Sequence, residues 1–411
     1  MKIAVLSGSP KGEDSVTLQY VRYLQKVHPE HEFQVFHAAQ QIRKLERDPG
    51  AFAAIMESVA ASQAVIWSFP LYYCLVCSQY KRFIELIFAR GREDAFRDKY
   101  ALSLSTSVHF FDHTAHNYIQ GICDDLRMKY FGRYSAEMYD LVRSRERARF
   151  LVCGDNFLQT AASGAPAATQ FPPLRSGDFI YRPAAPYPDL TSGGKKMLIL
   201  VDEIQSESNL WQMVQTFAGN FAHPVETVAL TGVDIKGGCL GCCRCGLDNT
   251  CRYQGKDGYI DFYNEKVKGA DIIVFAGEIR DRYLSSRWKQ FFDRSFFNTH
   301  TPTLTGKQIA FLISGPLGQL LNLTEILSAY AQFQQANLAG IVTDEGGDSA
   351  HLDALLRELA RRTVRLAGQG YTQPPDYLGV GGMKIFRDEV WGGAAVCLPG
   401  GSSLLQEARL L

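Results

Sequence analysis

Short aliphatic runs alternate with amphipathic stretches along this chain, and that order is written twice. In the first half, residues 3–6, 33–36, 64–67 and 101–104 form strand-like apolar runs. Helical patterns lie between them, with Leu18, Val21 and Leu24 on one face and then Phe83, Ile84, Ile87 and Phe88. The second half repeats the order with runs at 197–201, 225–229, 272–275, 309–313 and 339–342. Its helices fall near 209–217 and 288–297, and a last one carries Leu352, Leu355, Leu356 and Leu359. Strands without polar alternation need cover on both faces, and parallel strands joined by helical crossovers receive it. The expected fold class is therefore α/β, with two doubly wound parallel-sheet domains in tandem. The expected boundaries are 1–160 and 195–411. Between them, residues 161–194 hold Pro166, Pro172, Pro173, Pro183, Pro186, Pro188 and Ser192-Gly193-Gly194. No periodic pattern survives there, so an extended linker strapping a domain surface is expected.

The 411 residues suit two or three domains, and 46% hydrophobic content supplies two cores. A formal net charge of +0 asks for neither nucleic acid nor an anionic membrane as partner. The opening apolar run is too short for a signal-peptide core, and no stretch approaches ~20 uninterrupted apolar residues. A cytoplasmic, soluble protein is expected. Five of the ten cysteines crowd between Cys239 and Cys251, which points to metal or cluster chemistry rather than a disulfide framework.

In a doubly wound sheet, ligands sit beyond the carboxyl ends of the strands, at the switch in strand order. Three loops of the first half end there. The first reads Ser7-Gly8-Ser9-Pro10-Lys11-Gly12-Glu13-Asp14-Ser15-Val16-Thr17 and enters a helix. The unpaired N–H groups of a helix start hold a phosphate, the hydroxyls of Ser9, Ser15 and Thr17 add hydrogen bonds, and Lys11 adds charge. The same residues also suit a plain turn with a Ser15 or Asp14 cap. The loop lacks GxGxxG and the GK[ST] ending, which disfavours a dinucleotide or a nucleoside triphosphate. The second loop, Phe69-Pro70-Leu71-Tyr72-Tyr73, offers rings to stack on a flat ligand, or ordinary core aromatics. In the third, Ser105-Thr106-Ser107-Val108-His109, small hydroxyls border the same edge.

These loops resemble those of the NAD(P)H-dependent FMN reductase and iron–sulfur flavoprotein families, which share the flavodoxin-like fold. The family pattern Gly-Ser-Pro-Arg followed by Ser-Asn-Thr is matched by Gly8-Ser9-Pro10-Lys11 and Ser15-Val16-Thr17, with Val16 in place of Asn. The pattern Ser-Pro-Val-Tyr-Tyr followed by Leu-Lys is matched by Phe69-Pro70-Leu71-Tyr72-Tyr73 and Tyr80-Lys81. The resemblance implies FMN held by Ser7, Ser9, Pro10, Lys11, Ser15, Thr17, Pro70, Leu71, Tyr72, Tyr73, Thr106 and Ser107. It also implies NAD(P)H as a transient donor.

The second half is degenerate at these loops. Asp202-Glu203-Ile204-Gln205-Ser206-Glu207-Ser208 has no glycine and three acids, which repel a phosphate. Gly277-Glu278-Ile279-Arg280-Asp281-Arg282-Tyr283 lacks the Pro and Tyr pair, although Trp288-Lys289 and Phe292-Asp293-Arg294 keep the next helix recognisable. In their place stand Cys239, Cys242, Cys245 and Cys251, spaced C-x2-C-x2-C-x5-C. Thiolates so spaced can converge on a four-iron four-sulfur cluster, and glycines 237, 238, 241 and 246 allow the tight backbone. A zinc site or free redox thiols are the alternatives. This spacing resembles the motif of iron–sulfur flavoproteins, with Cys243 unmatched. Cys74 and Cys77 read as small hydrophobes near a flavin edge, and Cys123, Cys153 and Cys397 as core or incidental residues. His109, His113 and His116 offer a general acid, or else ordinary surface or capping residues.

In iron–sulfur flavoproteins the cluster of one subunit lies close to the FMN of a neighbour. The resemblance thus implies an internal pseudo-dimer with FMN on one half and the cluster on the other, open to further self-association. The expected function is electron transfer between a reduced donor (NAD(P)H or ferredoxin), FMN and the cluster, serving a small-molecule or protein redox partner. The alternatives are a plain FMN or quinone reductase with a structural cysteine loop, and a non-enzymatic scaffold for a redox partner.

Overall fold

The structure, a computed structural model, describes residues 1–392 apart from Ser176 and Pro186. Pro186 and Cys397 of the expectations above lie outside the described residues. The chain divides into two compact units. The first comprises Met1–Pro173 with the short segments Gly238–Gly241 and Lys289–Asp293; the second comprises Leu174–Gly237, Cys242–Trp288 and the chain from Arg294 onward.

The first unit runs β1 (Lys2–Ser7), α1 (Val16–Val27), β2 (Glu32–Phe36), α2 (Ile42–Arg47), α3 (Pro49–Ala60), β3 (Ala64–Pro70), α4 (Ser78–Ala89), β4 (Tyr100–Ser107), α5 (Asp112–Asp125), β5 (Lys129–Glu137) and α6 (Ser144–Ser163). The strand order is β2-β1-β3-β4-β5, with every neighbouring pair parallel. This is the flavodoxin-like order, and it reverses between β1 and β3. Helix starts are set locally. Ser15 caps α1 by accepting from Leu18 N–H, and Asp48 caps α3 with Pro49 at its first position. Ile3, Val5, Leu18, Val21, Leu24, Phe150 and Phe157 fill the core on one face. Gly154 lets α6 lie close to α1, since a Cβ there would come within 2.4 Å of Leu24.

The expectation omitted β5. Its sequence, Lys129-Tyr130-Phe131-Gly132-Arg133-Tyr134-Ser135-Ala136-Glu137, has no aliphatic run. It is the edge strand and only Ala136 is fully buried, so nothing selects the apolar composition of a central strand.

The second half of the chain runs β6 (Met197–Val201), α7 (Asn209–Gly219), β7 (Glu226–Ala229), α8 (Cys245–Asp248), α9 (Tyr259–Phe262), β8 (Ile272–Arg280), β9 (Tyr283–Leu284), α10 (Ser286–Ser295, of which Lys289–Asp293 belongs to the first unit), β10 (Gln308–Ser314), α11 (Leu321–Phe333), β11 (Asn337–Thr343), α12 (Ser349–Gln369) and α13 (Tyr377–Gly392). The order β11-β10-β8-β6-β7 repeats that of the first sheet, with β9 folded back antiparallel on β8. On α12, Leu352, Leu356 and Leu359 are buried, whereas Leu355 is exposed.

Helix α6 continues to Ser163, so the boundary expected at 160 falls inside a helix. Beyond it the chain is extended and fastened. In the first unit Asp124 accepts from the amides of Gln170 and Phe171. In the second, Tyr181 is buried in the core and its hydroxyl bonds Thr216 and Asp353, whose other oxygen accepts from Ala184 N–H. No helix among the described residues is long and apolar enough to cross a membrane.

Candidate functional site

At the carboxyl edge of the first sheet three loops are tied to one another. Gly8 N–H donates to Ser68 O at 2.7 Å, joining the loop after β1 to β3. The hydroxyls of Thr17 and Thr106 bond at 2.6 Å, joining the start of α1 to the end of β4. Leu71 N–H donates to Thr106 O at 3.2 Å, bringing in the loop after β3. Helix α4 braces the first loop from below. Tyr80 Oη donates to Leu6 O at 2.7 Å, and the Cys77 thiol donates to Gly8 O at 3.1 Å. Burial pushes that thiol up to about 12, so Cys77 is a neutral donor. Gly8 is required here, because a Cβ would lie 2.4 Å from the Tyr80 ring.

The expected ligands divide by what they already touch. Ser7 and Ser68 are register partners on β1 and β3, and both hydroxyls are buried with no hydrogen-bond partner among the described residues. Leaving a buried hydroxyl unpaired costs about 1–3 kcal/mol, so an orphan at a strand end marks a place for a polar ligand atom. Ser9 Oγ accepts from Lys11 N–H, and Ser15 Oγ caps α1. Lys11 is exposed, and Pro10, Pro70, Leu71, Tyr72, Tyr73 and Ser107 are half-buried. Thr17 and Thr106 are buried and engaged with each other, so they tie the loops together rather than present free hydroxyls. Tyr73 and Cys74 have φ of 38° and 65° and form the two-residue turn between Tyr72 and Leu75, whose amides and carbonyls pair in both directions. Two non-glycine residues in the left-handed region cost about 1–2 kcal/mol each, a strain that functional loops retain. Lys289, within the first unit, donates to Tyr72 O at 2.7 Å and is paired with Asp293 in full burial. Gly241, also of the first unit, leaves room for Tyr72, whose hydroxyl a Cβ would meet at 2.0 Å.

The histidines after β4 separate. His116 is buried, contrary to the expected surface or capping role. Its Nδ1 lies 2.7 Å from Ser103 Oγ and its Nε2 2.8 Å from Ser105 Oγ, and burial lowers its pKa to about 3. It is a neutral core residue, and it occupies Ser105. His109 is half-exposed beside the site with φ 61°, and its Nδ1 lies 2.9 Å from Asp112. The Asp112 hydrogen bond raises the His109 pKa. Burial raises Asp112, but hydrogen bonds from His109 and Ser135 outweigh it and bring it to about 2. Ser135 lies on β5, which the sequence pattern does not mark, and Asp112 opens α5, so their meeting joins two separate elements.

The second unit keeps the turn and fills the cleft. Asp281 and Arg282, with φ of 49° and 63°, form the two-residue turn between β8 and β9, the same device as Tyr73-Cys74. The Asp344 carboxylate accepts from the Asn209 side chain at the start of α7, from Ser314 Oγ and from Gly315 N–H. A fixed negative charge thus stands where the helix start meets the loop after β10.

Of the cysteines, Cys239 lies in the Gly238–Gly241 segment of the first unit, where its carbonyl accepts from Gln79 Nε2 at 3.0 Å. Cys242, Cys243, Cys245 and Cys251 belong to the second unit. Cys242 and Cys243 are exposed, and Cys245 and Cys251 half-buried. Burial, with the nearby thiols of Cys251, Cys242 and Cys243, raises Cys245 to about 11. Within the second unit Arg294 binds Asp257 through both Nη atoms, and Nη1 also reaches Gly237 O, so one guanidinium pins the residues flanking the cysteine loop. Cys74, Cys77 and Cys123 are buried, and Cys153 is half-buried.

Residues 1–137 match the family model described as NADPH-dependent FMN reductase. No curated protein matches the chain. Similar solved structures include an apo NADH:FMN oxidoreductase (EMOB), 14% identical, covering 39% of this chain and 89% of that one with a TM-score of 0.34. FerB, a flavoenzyme NAD(P)H:(acceptor) oxidoreductase from Paracoccus denitrificans, is 17% identical over 40% of this chain and 98% of its own, with a TM-score of 0.33. General stress protein 14 from Treponema denticola, in complex with FMN, is 11% identical over 40% and 99%, with a TM-score of 0.29.

Proposed function

We propose, from the match of residues 1–137 to the family model described as NADPH-dependent FMN reductase, that this chain is a flavin-dependent oxidoreductase with FMN at the carboxyl edge of its first sheet. The observation that carries this is the pair of orphaned hydroxyls, Ser7 and Ser68, beneath three loops tied together at Thr106. The residues fit the group. The start of α1 supplies amides and partial positive charge for a phosphate, with Ser7, Ser9, Ser15 and Lys11 around it. Pro70, Leu71, Tyr72 and Tyr73, in a strained turn, border a flat ring, and Ser107 lies at the end of β4. When bound, FMN accepts a hydride as an electron pair and can release electrons singly. Reduced nicotinamide is the donor in this reading, and the acceptor is a quinone, a free flavin or a protein.

The cysteine loop extends the reading. The C-x2-C-x2-C-x5-C spacing supports a four-iron four-sulfur cluster on Cys239, Cys242, Cys245 and Cys251. Such a cluster takes one electron at a time, which would make the chain a converter between electron pairs and single electrons.

Anaerobic purification with flavin, iron and sulfide assays tests both parts. One FMN with four irons, and bleaching of the flavin by NADPH, is the expected outcome. One FMN with zinc retains the reductase and removes the converter. A chain that takes up no FMN from excess cofactor overturns the proposal.

A further inference from the structure

The far end of α1 gathers groups that the flavin reading leaves unused. The helix closes at Val27, and His28-Pro29-Glu30-His31 turns the chain into β2. The backbone holds this turn, with His28 N–H donating to Leu24 O at 2.9 Å and His31 N–H to His28 O at 3.2 Å. Glu30 Oε1 lies 3.2 Å from His28 Nδ1 and 3.6 Å from His31 Nε2. These residues are the group of His, Cys, Asp or Glu, among those described, with three ligand atoms within 4.8 Å of one another.

A second observation concerns the other edge of His28. Its Nε2 lies 2.8 Å from Asp155 Oδ1 on α6. A neutral imidazole has a single N–H. Given to Asp155, it leaves the Nδ1 lone pair facing the Glu30 carboxylate at 3.2 Å, so that a cation between them has both as ligands, where a proton there makes an ordinary hydrogen bond. A carboxylate behind a histidine is also what orients metal-binding imidazoles.

We propose that His28 Nδ1, Glu30 and His31 Nε2 form a binding site for a divalent transition metal of the zinc class, oriented by Asp155. Two imidazoles and one carboxylate suit zinc, nickel or copper, whereas magnesium and calcium take oxygen ligands. Three protein ligands leave a fourth position for water. The site is separate from the flavin cleft, since α1 has 12 residues and spans about 18 Å. Bound there, an ion clasps the end of α1, the start of β2 and α6.

Zinc-edge anomalous diffraction from crystals soaked in zinc chloride locates any ion. The expected peak lies about 2.0–2.2 Å from His28 Nδ1, Glu30 and His31 Nε2. In solution, a chelator-competition assay on the full chain should lose one zinc equivalent in His28→Ala and in His31→Gln and keep it in Cys245→Ser. Asp155→Asn should weaken that equivalent by about 10–100-fold. A map with zinc at the cysteines and none at His28 overturns the proposal, as does an equivalent unaffected by both histidine variants. Circular dichroism confirms that each variant is folded.

Discussion

Ser7 and Gly8 sit side by side and answer to different demands. The Ser7 hydroxyl is buried with nothing to bond among the described residues, so removing it relieves a desolvation cost in the flavin-free protein. Ser7→Ala should therefore leave the melting temperature of the flavin-free protein unchanged or raised. It should also weaken FMN binding by about tenfold, near 1.4 kcal/mol, by fluorescence titration. A loss of stability with unaltered FMN affinity would count against the assignment. Gly8→Ala places a Cβ within 2.4 Å of the buried Tyr80 ring, which has no room to yield. It should destabilise by about 1–3 kcal/mol in urea titration, with or without flavin. Gly8-Ser9-Pro10-Lys11 was legible as a loop because its residue types are local signals. That Tyr80 is the strut beneath it was not, since the contact joins residues far apart in the chain.

Helix α5 carries the clearest pH dependence at the scale of an element. His116, buried between Ser103 and Ser105, titrates near 3 when folded, against an ordinary 6.5. Between those values the unfolded chain binds a proton that the folded chain refuses. Stability therefore rises with pH across that window and declines as pH falls below about 6.5. His116→Gln keeps hydrogen-bonding capacity without a titrating group, so the loss of stability between pH 7 and pH 5 should be smaller than in the parent. An unchanged difference would show that His116 is not the residue responsible. At the same helix start His109 acts in the opposite sense and Asp112 in the same sense as His116. The raised His109 pKa contributes stability below its unfolded value that is lost as pH rises through the folded one. The depressed Asp112 contributes above its unfolded value and loses it as pH falls toward about 2. The pair's contribution is thus full between the unfolded pKa values of the carboxylate and the imidazole.

At the scale of the whole chain, duplication is written into conformation as well as order. Both sheets share one strand order, and both units place two left-handed residues before the helix that follows the third strand. That helix carries a buried lysine–carboxylate pair one turn apart in each copy, Lys81 with Glu85 and Lys289 with Asp293. What differs is the chemistry at the edges: orphaned hydroxyls in the first unit, the Asp344 carboxylate in the second. The two candidate cofactor sites draw on different residues, so Cys245→Ser should abolish bound iron and leave the FMN stoichiometry intact. Simultaneous loss of both would show that the sites are coupled.

The amino-acid sequence alone determined the alternation of elements, the loop that opens α1 and the spacing of the cysteines. Each of these rests on near neighbours: side-chain period, cap chemistry, glycine placement. Tertiary structure decided which polar groups are already engaged. Thr17 finds Thr106 across 89 residues, His116 is enclosed by two strand serines, and the Ser7 hydroxyl meets no partner among the described residues. It also decided that β5 is a strand, because an edge position asks for pairing and not for apolar composition. Hydrogen-bond partnership and burial are properties of distant residues brought together, and no local pattern encodes them.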